Sequence, residues 1–495
     1  MPLTLASAAG RWALAATVLG TSLAFLDATI VNIALPKIGE DLDAPLAGLQ
    51  WTINGYTLSL AGLILLGGAL GDRYGRRRVF LIGVVWFAAA SLLCALAPGI
   101  GWLVGARVLQ GVGGALLTPG ALALIQASFR PEDRGRAIGA WSGLGGVAGA
   151  AGPFLGGWLI AGPGWRWAFL INVPLAALVV VVTLRHMPES RDERAGGRFD
   201  IAGAVLGALS LAGVTYALIA ATEPAGRSMA VAVGIVGVAL GAAFVITERR
   251  RANPMLPLDI FSSSQFTAVN VVTLAVYAAL GGVFFLLLLQ LQVVAGFSPI
   301  AAGTALLPVT VLMLLLSSWA GGLAQRIGPR WPMVSGTLLA AAGVLLMSRI
   351  GAGSSYVVDV LPAATVFGLG LSLVVAPLTA TVLASADPRR AGIASGVNNA
   401  VARAGQLLAV AGLPLLVGLS GADYQSPTTL SEGFRMAMYI CAGGLAAGSV
   451  LSFVMISDDA LQQTPAHPEV AQPQRRTHCA VDGTPLEHRP VSARA

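Results

Sequence analysis

The sequence predicts an all-α, polytopic membrane protein with fourteen transmembrane helices. Three observations carry that prediction. Apolar residues make up 56% of the 495 residues and charged residues only 11%, a balance outside the range of water-soluble domains. Apolar stretches of about 20 residues recur along the chain, the length of α-helix that crosses a hydrocarbon layer about 30 Å thick. Arg clusters in the short loops between them, mostly on one side.

In order, the spans run over 11–35, 51–70, 79–97, 102–127, 138–160, 167–185, 200–221, 229–247, 263–292, 300–323, 333–351, 358–384, 392–419 and 434–456. The first is too long, and carries Asp27 too deep, to be a cleaved signal peptide, so it is read as permanent. The loops after spans 2, 4, 6, 8, 10 and 12 hold eighteen Arg, whereas the opposite side holds Lys37, Arg166, Arg227, Arg349 and Arg435. Cytoplasmic loops retain basic residues, so both termini are expected in the cytoplasm and the chain in the cytoplasmic (inner) membrane. Beyond Ser457 the chain is polar, without an apolar period, and is expected to be disordered.

Composition also excludes several functions. Lys37 is the single Lys, so no Gly-Lys-Ser/Thr phosphate loop exists. Cys94, Cys441 and Cys479 are too few and too scattered for a disulfide framework or a four-ligand zinc site. His478 beside Cys479 is either a weak metal contact or an incidental pairing in the tail, and no metal site is assigned. The net charge of +7 is explained by span orientation rather than by nucleic acid.

Span 2 ends in Gly68-Ala69-Leu70-Gly71-Asp72-Arg73-Tyr74-Gly75-Arg76-Arg77. Span 10 ends in Gly321-Gly322-Leu323-Ala324-Gln325-Arg326-Ile327-Gly328-Pro329-Arg330, a second copy. Internal duplication marks secondary transporters built from related halves, with a substrate site between them. Asp72 sits among Arg residues, where it either caps a helix start or pairs with an Arg of a neighbouring helix. Gln325 replaces it in the second copy, so a charged latch there is expected to be weak or missing.

With these repeats the chain resembles the major facilitator superfamily, specifically its fourteen-span drug:proton antiporters, over about residues 11–456. Leu26-Asp27-Ala28-Thr29-Ile30-Val31-Asn32-Ile33-Ala34-Leu35-Pro36 is similar to the first-span motif of those exporters. Arg107-Val108-Leu109-Gln110-Gly111-Val112-Gly113-Gly114-Ala115 resembles the fourth-span motif associated with proton transfer. Gly139 with Gly152-Pro153-Phe154-Leu155-Gly156-Gly157 resembles the fifth-span antiporter motif, although Ala148 stands where one glycine is expected. The resemblance implies two six-helix bundles plus an inserted helix pair. Residues 1–199 would form the first bundle with its linker, 200–262 the inserted pair with its linker, 263–456 the second bundle and 457–495 the tail. It also implies alternating access, a cavity lined by spans 1, 4, 9 and 12, a gating role for Asp72, Arg73, Gly75 and Arg76, and a monomer.

The residues themselves suggest where the chemistry lies. Asp27 falls about eight residues before the outer end of span 1, roughly 12 Å below it. Asp200, Glu223, Asp359 and Glu432 fall at span ends, where capping or snorkelling accounts for them. A charge kept in hydrocarbon is a functional candidate, and desolvation favours the protonated form of a carboxyl group, so Asp27 is the expected proton-coupling residue. The alternative is a structural Asp satisfied by hydrogen bonds. Arg107 lies at comparable depth and is expected either to partner Asp27 or to brace backbone carbonyls. Arg403 in span 13 is the other deep Arg, and no partner for it is legible. Gly145, Gly149, Gly152 and Gly156 share one face of span 5, and Pro153 permits a bend. With Gly157 they form a sliding contact or ordinary tight packing.

Asn32, Gln110, Phe284, Phe285, Gln290, Gln292, Phe367 and Asn398 are candidate substrate contacts, since aromatic and amide groups stack on and hydrogen-bond amphipathic compounds. A neutral or monocationic hydrophobic molecule is expected, moved by the proton gradient without a cofactor. The expected activity is drug or antibiotic efflux by proton antiport. Rivals are transport of an endogenous metabolite, lipid or siderophore, passive facilitation, and a membrane-bound enzyme or sensor, although the sequence offers no cluster of catalytic His, Asp or Ser near one membrane face.

Overall fold

The computed structural model describes residues 3–191, 200–223, 226–251, 254–386 and 390–461. Helices dominate, and among the described residues no strand forms beyond one isolated bridge between Leu3 and Phe129. The first six spans are α1 (Ala8–Asp41), α2 (Leu46–Tyr74), α3 (Arg76–Ala95), α4 (Ile100–Ser128), α5 (Pro131–Ala161) and a broken sixth made of α6 (Arg166–Leu170) and α7 (Asn172–His186). Pro174 explains the break, because it cannot donate to the carbonyl of Leu170 four residues earlier. Then follow α8 (Ile201–Ala220) and α9 (Arg227–Arg250). The last six spans are α10 (Ser264–Leu289), α11 (Pro299–Thr304) with α12 (Leu307–Ile327), α13 (Arg330–Met347), α14 (Leu361–Ala384), α15 (Ala391–Leu416) and α16 (Pro427–Met455). Helix starts follow local chemistry: Ser7, Asp200, Ser263 and Ser298 each accept a hydrogen bond from a first-turn N–H, and Pro131, Pro299 and Pro427 open their helices.

Twelve of these spans are long and apolar enough to cross a membrane, and α2, bent between Ile64 and Leu66, makes thirteen. The expected count of fourteen is therefore not reached by this measure; α5 is helical throughout, but its apolar part is the shorter stretch Ala151–Ala161. Side chains such as Val238 on α9 (66% exposed) and Leu315 on α12 (67%) face outward. So much outward apolar surface fits lipid and not water, as in a multi-pass membrane protein.

The duplication seen in the loops extends to packing. In the first six spans α4 packs on α2 and α3, α1 on α5 and α7, and α3 on α7. In the last six, α14 packs on α12 and α13, α10 on α15 and α16, and α13 on α16, the same pattern shifted by eight spans. Between the two sets α8 packs on α9 and touches both α2 and α15. At its start Asp200 caps Gly203 N–H and pairs with Arg251, while Glu248 accepts from Leu256 N–H, so the ends of this helix pair are clasped.

The two loop copies match in detail. Gly75 (φ 114°) and Gly328 (φ 86°) turn the chain between α2 and α3 and between α12 and α13 in backbone conformations that side chains resist. Asp72 bonds Arg76 across the first turn at 2.7 Å, as expected for an Asp facing a neighbouring helix. Glu189, following α7, stands over Gly75 and accepts from Arg77 N–H. In the second copy Gln325 and Pro329 stand where Asp72 and Arg76 pair, and the charged contact there is a longer one, 3.7 Å, between other positions. Arg330 pairs with Asp458, which follows α16 and stands over Gly328, as Glu189 does over Gly75. The start of the tail is accordingly ordered, with a short helical turn over Asp458–Leu461; His467, His478, Cys479 and His488 lie outside the described residues.

The two sets of spans meet near the face opposite the termini, here called the distal face. Gln50 Nε2 on α2 donates to the carbonyls of Val410 and Ala411 on α15, Leu46 N–H donates to Gly421, Tyr424 Oη donates to Ala44, and Gln292 Nε2 donates to Ile33. Among the described residues no hydrogen bond or ion pair joins the two sets near the terminal face. Gly75→Val should lower stability by about 1–3 kcal/mol, from its positive φ and from Glu189 oxygen 2.8 Å from the added Cβ. Gly99→Ala, in open space, should stay within about 0.5 kcal/mol. Unfolding of the detergent-solubilised variants measures both, and equal losses would contradict the assignment of strain to the turn.

Candidate functional site

Asp27 lies near the middle of α1 and is fully buried. Arg107 and Gln110, three residues apart on α4, share the helix face that meets it. Arg107 Nη1 donates to Asp27 Oδ2 at 2.5 Å and to Gln110 Oε1 at 2.6 Å. Gln110 Nε2 donates to Asp27 Oδ1 and to Ser91 Oγ on α3, both at 2.8 Å. Asn172, at the break in the sixth span, donates from Nδ2 to Asp27 Oδ1 at 3.1 Å and to Ser91 Oγ at 3.3 Å. Arg107 Nε donates to the Thr52 carbonyl of α2 at 2.9 Å, and its guanidinium lies over the Tyr56 ring, 4.4 Å from the centroid.

Five elements thus meet in one network around the carboxyl group, α4 and the sixth span bonding it directly and α2 and α3 through them. Glycines of the fourth-span motif make that approach possible: a Cβ on Gly113 would stand 2.7 Å from Phe87 N of α3, and one on Gly111 would stand 2.8 Å from Ser59 Cβ of α2. Chemically the cluster fits an ionised carboxylate. Both Asp27 oxygens face N–H donors, and a carboxylate is acceptor-only. Oδ1 already accepts two hydrogen bonds and Oδ2 one, so a proton on Oδ1 would displace a donor and a proton on Oδ2 would remove the charge that holds the Arg107 guanidinium.

The structure therefore brings Asp27 and Arg107 into contact, and moves Gln110 from the substrate set to the bridge between them. The remaining candidates do not gather at one surface. Phe285 and Phe367 are buried in the core, and Phe284 packs against it. Gln290 is buried and donates to the Ile350 carbonyl and Ser431, Gln292 bonds Ile33, and Asn398 bonds Asn270 and Thr273 of α10. Asn32 bonds Ala28 in its own helix. These contacts hold helices together and leave no shared lining. Ser91, Asn172 and Tyr56 were not singled out from the sequence; an amide two residues before a span-breaking proline was the available signal for Asn172. An apolar groove of about 370 Å³, lined by Leu218, Ala275, Gly412, Leu416 and Cys441 among others, shares no residue with the Asp27 cluster.

The bare face of α5 has two neighbours. Gly152 and Gly156 meet Thr29 and Ile30 of α1, where added Cβ atoms would stand 3.0 Å and 3.1 Å from the nearest atoms. Gly157 meets Ile300 of α11 at 2.6 Å on the same measure, and Gly303 of α11 seats on the Pro153 carbonyl. The packing around Gly145 and Gly149 lies outside the described residues. Arg73, at the terminal face, lies near the Tyr74 ring.

Comparison with known proteins adds the context. The profile described as Major Facilitator Superfamily matches residues 17–410. The chain is 38% identical to a tetracenomycin C resistance and export protein of Streptomyces glaucescens, covering 82% of this chain and 75% of that protein. It is 35% identical to a puromycin resistance protein of Streptomyces alboniger, covering 90% and 91%, and 36% identical to the multidrug resistance protein Stp of Mycobacterium tuberculosis, covering 82% and 76%. Among solved structures, a bacterial homologue of the human lysosomal transporter Spinster in an inward-facing, unoccupied conformation superposes with a TM-score of 0.64 at 18% identity, covering 93% of this chain and all of that one. That likeness speaks to fold alone.

Arg107→Ala should destabilise the protein by about 3–5 kcal/mol, because it strands a buried carboxylate. Gln110→Ala, which removes one donor, should cost about 1–3 kcal/mol. Combining Arg107→Gln with Asp27→Asn should recover part of the larger loss. Denaturant unfolding in detergent reads all three, and an additive double variant would dissolve the claimed pair.

Proposed function

Because the chain belongs to the Major Facilitator Superfamily, and is a transporter rather than an enzyme, we propose that it exports small hydrophobic or amphipathic drugs or antibiotics across the cytoplasmic membrane by alternating access in exchange for protons. Both termini face the cytoplasm in this reading, which the one-sided Arg distribution supports. Drug export is supported by the names of the relatives, three of which are resistance proteins. Coupling to protons is supported by one observation above all: the buried carboxyl group of Asp27 is held by donors from α4 and the sixth span, one of them a guanidinium whose hold depends on the negative charge.

The proposed cycle follows from that dependence. In this cycle the arrangement joined at the distal face serves as the inward state, with the carboxylate of Asp27 paired to Arg107 and the protein ready for a drug from the cytoplasm or inner leaflet. When the halves rock, the contact of α5 with α11, where Gly157 meets the backbone of Pro299 and Ile300 and Gly303 that of Pro153, slides or parts with few side chains to disengage. Asp27 then meets the outside, and a proton there neutralises it and loosens Arg107 and Gln110. Asn172 Oδ1 has no partner in the present arrangement; turning the amide over lets it accept from the protonated carboxyl. Return to the inward state sheds the proton and restores the cluster. A proton descending 100 mV and one pH unit releases about 3.7 kcal/mol, enough for a several-hundred-fold gradient of a neutral compound.

The test is reconstitution into proteoliposomes with an imposed pH gradient and a panel of antibiotics. Wild type should accelerate antibiotic movement against the proton flow. Asp27→Asn should lose at least about tenfold in gradient-driven rate while retaining binding. Coupling that survives in the variant refutes the role of Asp27, and movement indifferent to the gradient in wild type identifies a passive facilitator.

A further inference from the structure

Arg403 stands midway along α15, half-buried, and makes no hydrogen bond or ion pair with any described residue. A cation at that depth is costly unless something answers its charge. Its register shows where it points. Ser395, Asn399 and Arg403 recur every four residues and so form one stripe, with Ser395 and Asn399 exposed. Val410, seven residues beyond Arg403 on the same side, is where Gln50 of α2 bonds α15 near the distal face. The stripe therefore descends the side of α15 that turns toward the first set of spans, below the point where the two sets are joined.

The guanidinium is within electrostatic reach of Tyr56 on α2 and Tyr277 on α10. Tyr56 is the ring that also carries Arg107. Since Arg107 is matched by Asp27, the middle of the protein holds one positive charge in excess. The other ionisable groups of these helices are engaged elsewhere: Arg390 at the start of α15 pairs with Asp259, and Asp72 of α2 with Arg76.

We infer that Arg403, with Asn399 and Ser395 on the same stripe, binds the anionic group of the exported compound, a hydrophobic acid whose carboxylate or phenolate pairs with the guanidinium while its apolar body lies near Tyr56 and Tyr277. A guanidinium suits such planar oxyanions, which it holds through paired charge-assisted hydrogen bonds. This assignment rests on the export reading and departs from the neutral or monocationic compound expected from the spans. It also joins cargo to coupling, because the bound anion would sit beside the tyrosine that supports Arg107.

Three probes of one scaffold test it: pyrenebutyric acid, its methyl ester and pyrenebutylamine, with binding followed by fluorescence on the purified protein in nanodiscs. Wild type should bind the acid at least about tenfold more tightly than the ester, and the amine more weakly than either. Arg403→Gln should lower acid affinity to that of the ester, whose retained binding reports a folded protein, and Arg403→Lys should keep only part of the preference. Equal binding of acid and ester by wild type, or an acid preference surviving in Arg403→Gln, overturns the anion assignment alone. If Arg403→Gln binds none of the three, an undiminished preference in Arg403→Lys overturns it instead. Failure of wild type to bind any probe counts against the export reading as well.

Discussion

A carboxylate in hydrocarbon must be answered by donors, and much of the first half of this protein is arranged to supply them. Arg107 and Gln110, from one helix face, and Asn172, from a break that Pro174 imposes, donate to it, while Ser91 of α3 accepts from Gln110 and Asn172 and a carbonyl of α2 accepts from Arg107. α4 could not part from α1, α2 or α3, nor the sixth span from α1 or α3, without breaking one of these bonds. That constraint makes the state of one proton a matter for five elements at once. It also accounts for the glycines of α4, which bring the helix close enough to its neighbours for short side chains to meet.

The second half repeats the packing of the first without repeating its chemistry. Gly370 of α14 closes against Gly336 of α13 as Gly113 of α4 does against Gly83 of α3, but α14 carries no charged residue to match Arg107. The shared features are architectural: a positive-φ glycine between corresponding helices, an acidic residue arriving from the end of the sixth span to cover it, and an Arg in reach. Duplication thus preserved the scaffold while the charged cluster stayed on one side.

Much of this was legible in the sequence, and for identifiable reasons. Length and hydropathy mark most spans because a bilayer imposes a fixed thickness, and depth along α1 singles out Asp27 because ionised groups there are rare. Arg107 followed from the same argument. Phe285 and Phe367 were misread because an aromatic side chain in an apolar span looks the same whether it faces a cavity or a core. Asn172 and Ser91 were overlooked because uncharged polar groups within helices are usually satisfied by carbonyls of the preceding turn, as Asn32 and Asn270 are. The pairing of Arg330 with Asp458 was invisible because the partner lies more than a hundred residues away, at the edge of a tail that composition alone marks as unstructured.

The unmatched guanidinium of α15 has an electrical consequence. If the cargo leaves as a monoanion while one proton enters, each turnover shifts two elementary charges across the bilayer in the same sense, rather than the single charge that accompanies a neutral molecule. Voltage would then act twice, contributing about 4.6 kcal/mol per 100 mV. A cell with little pH difference but a strong resting potential could still clear an acidic compound, and the work would register as a current.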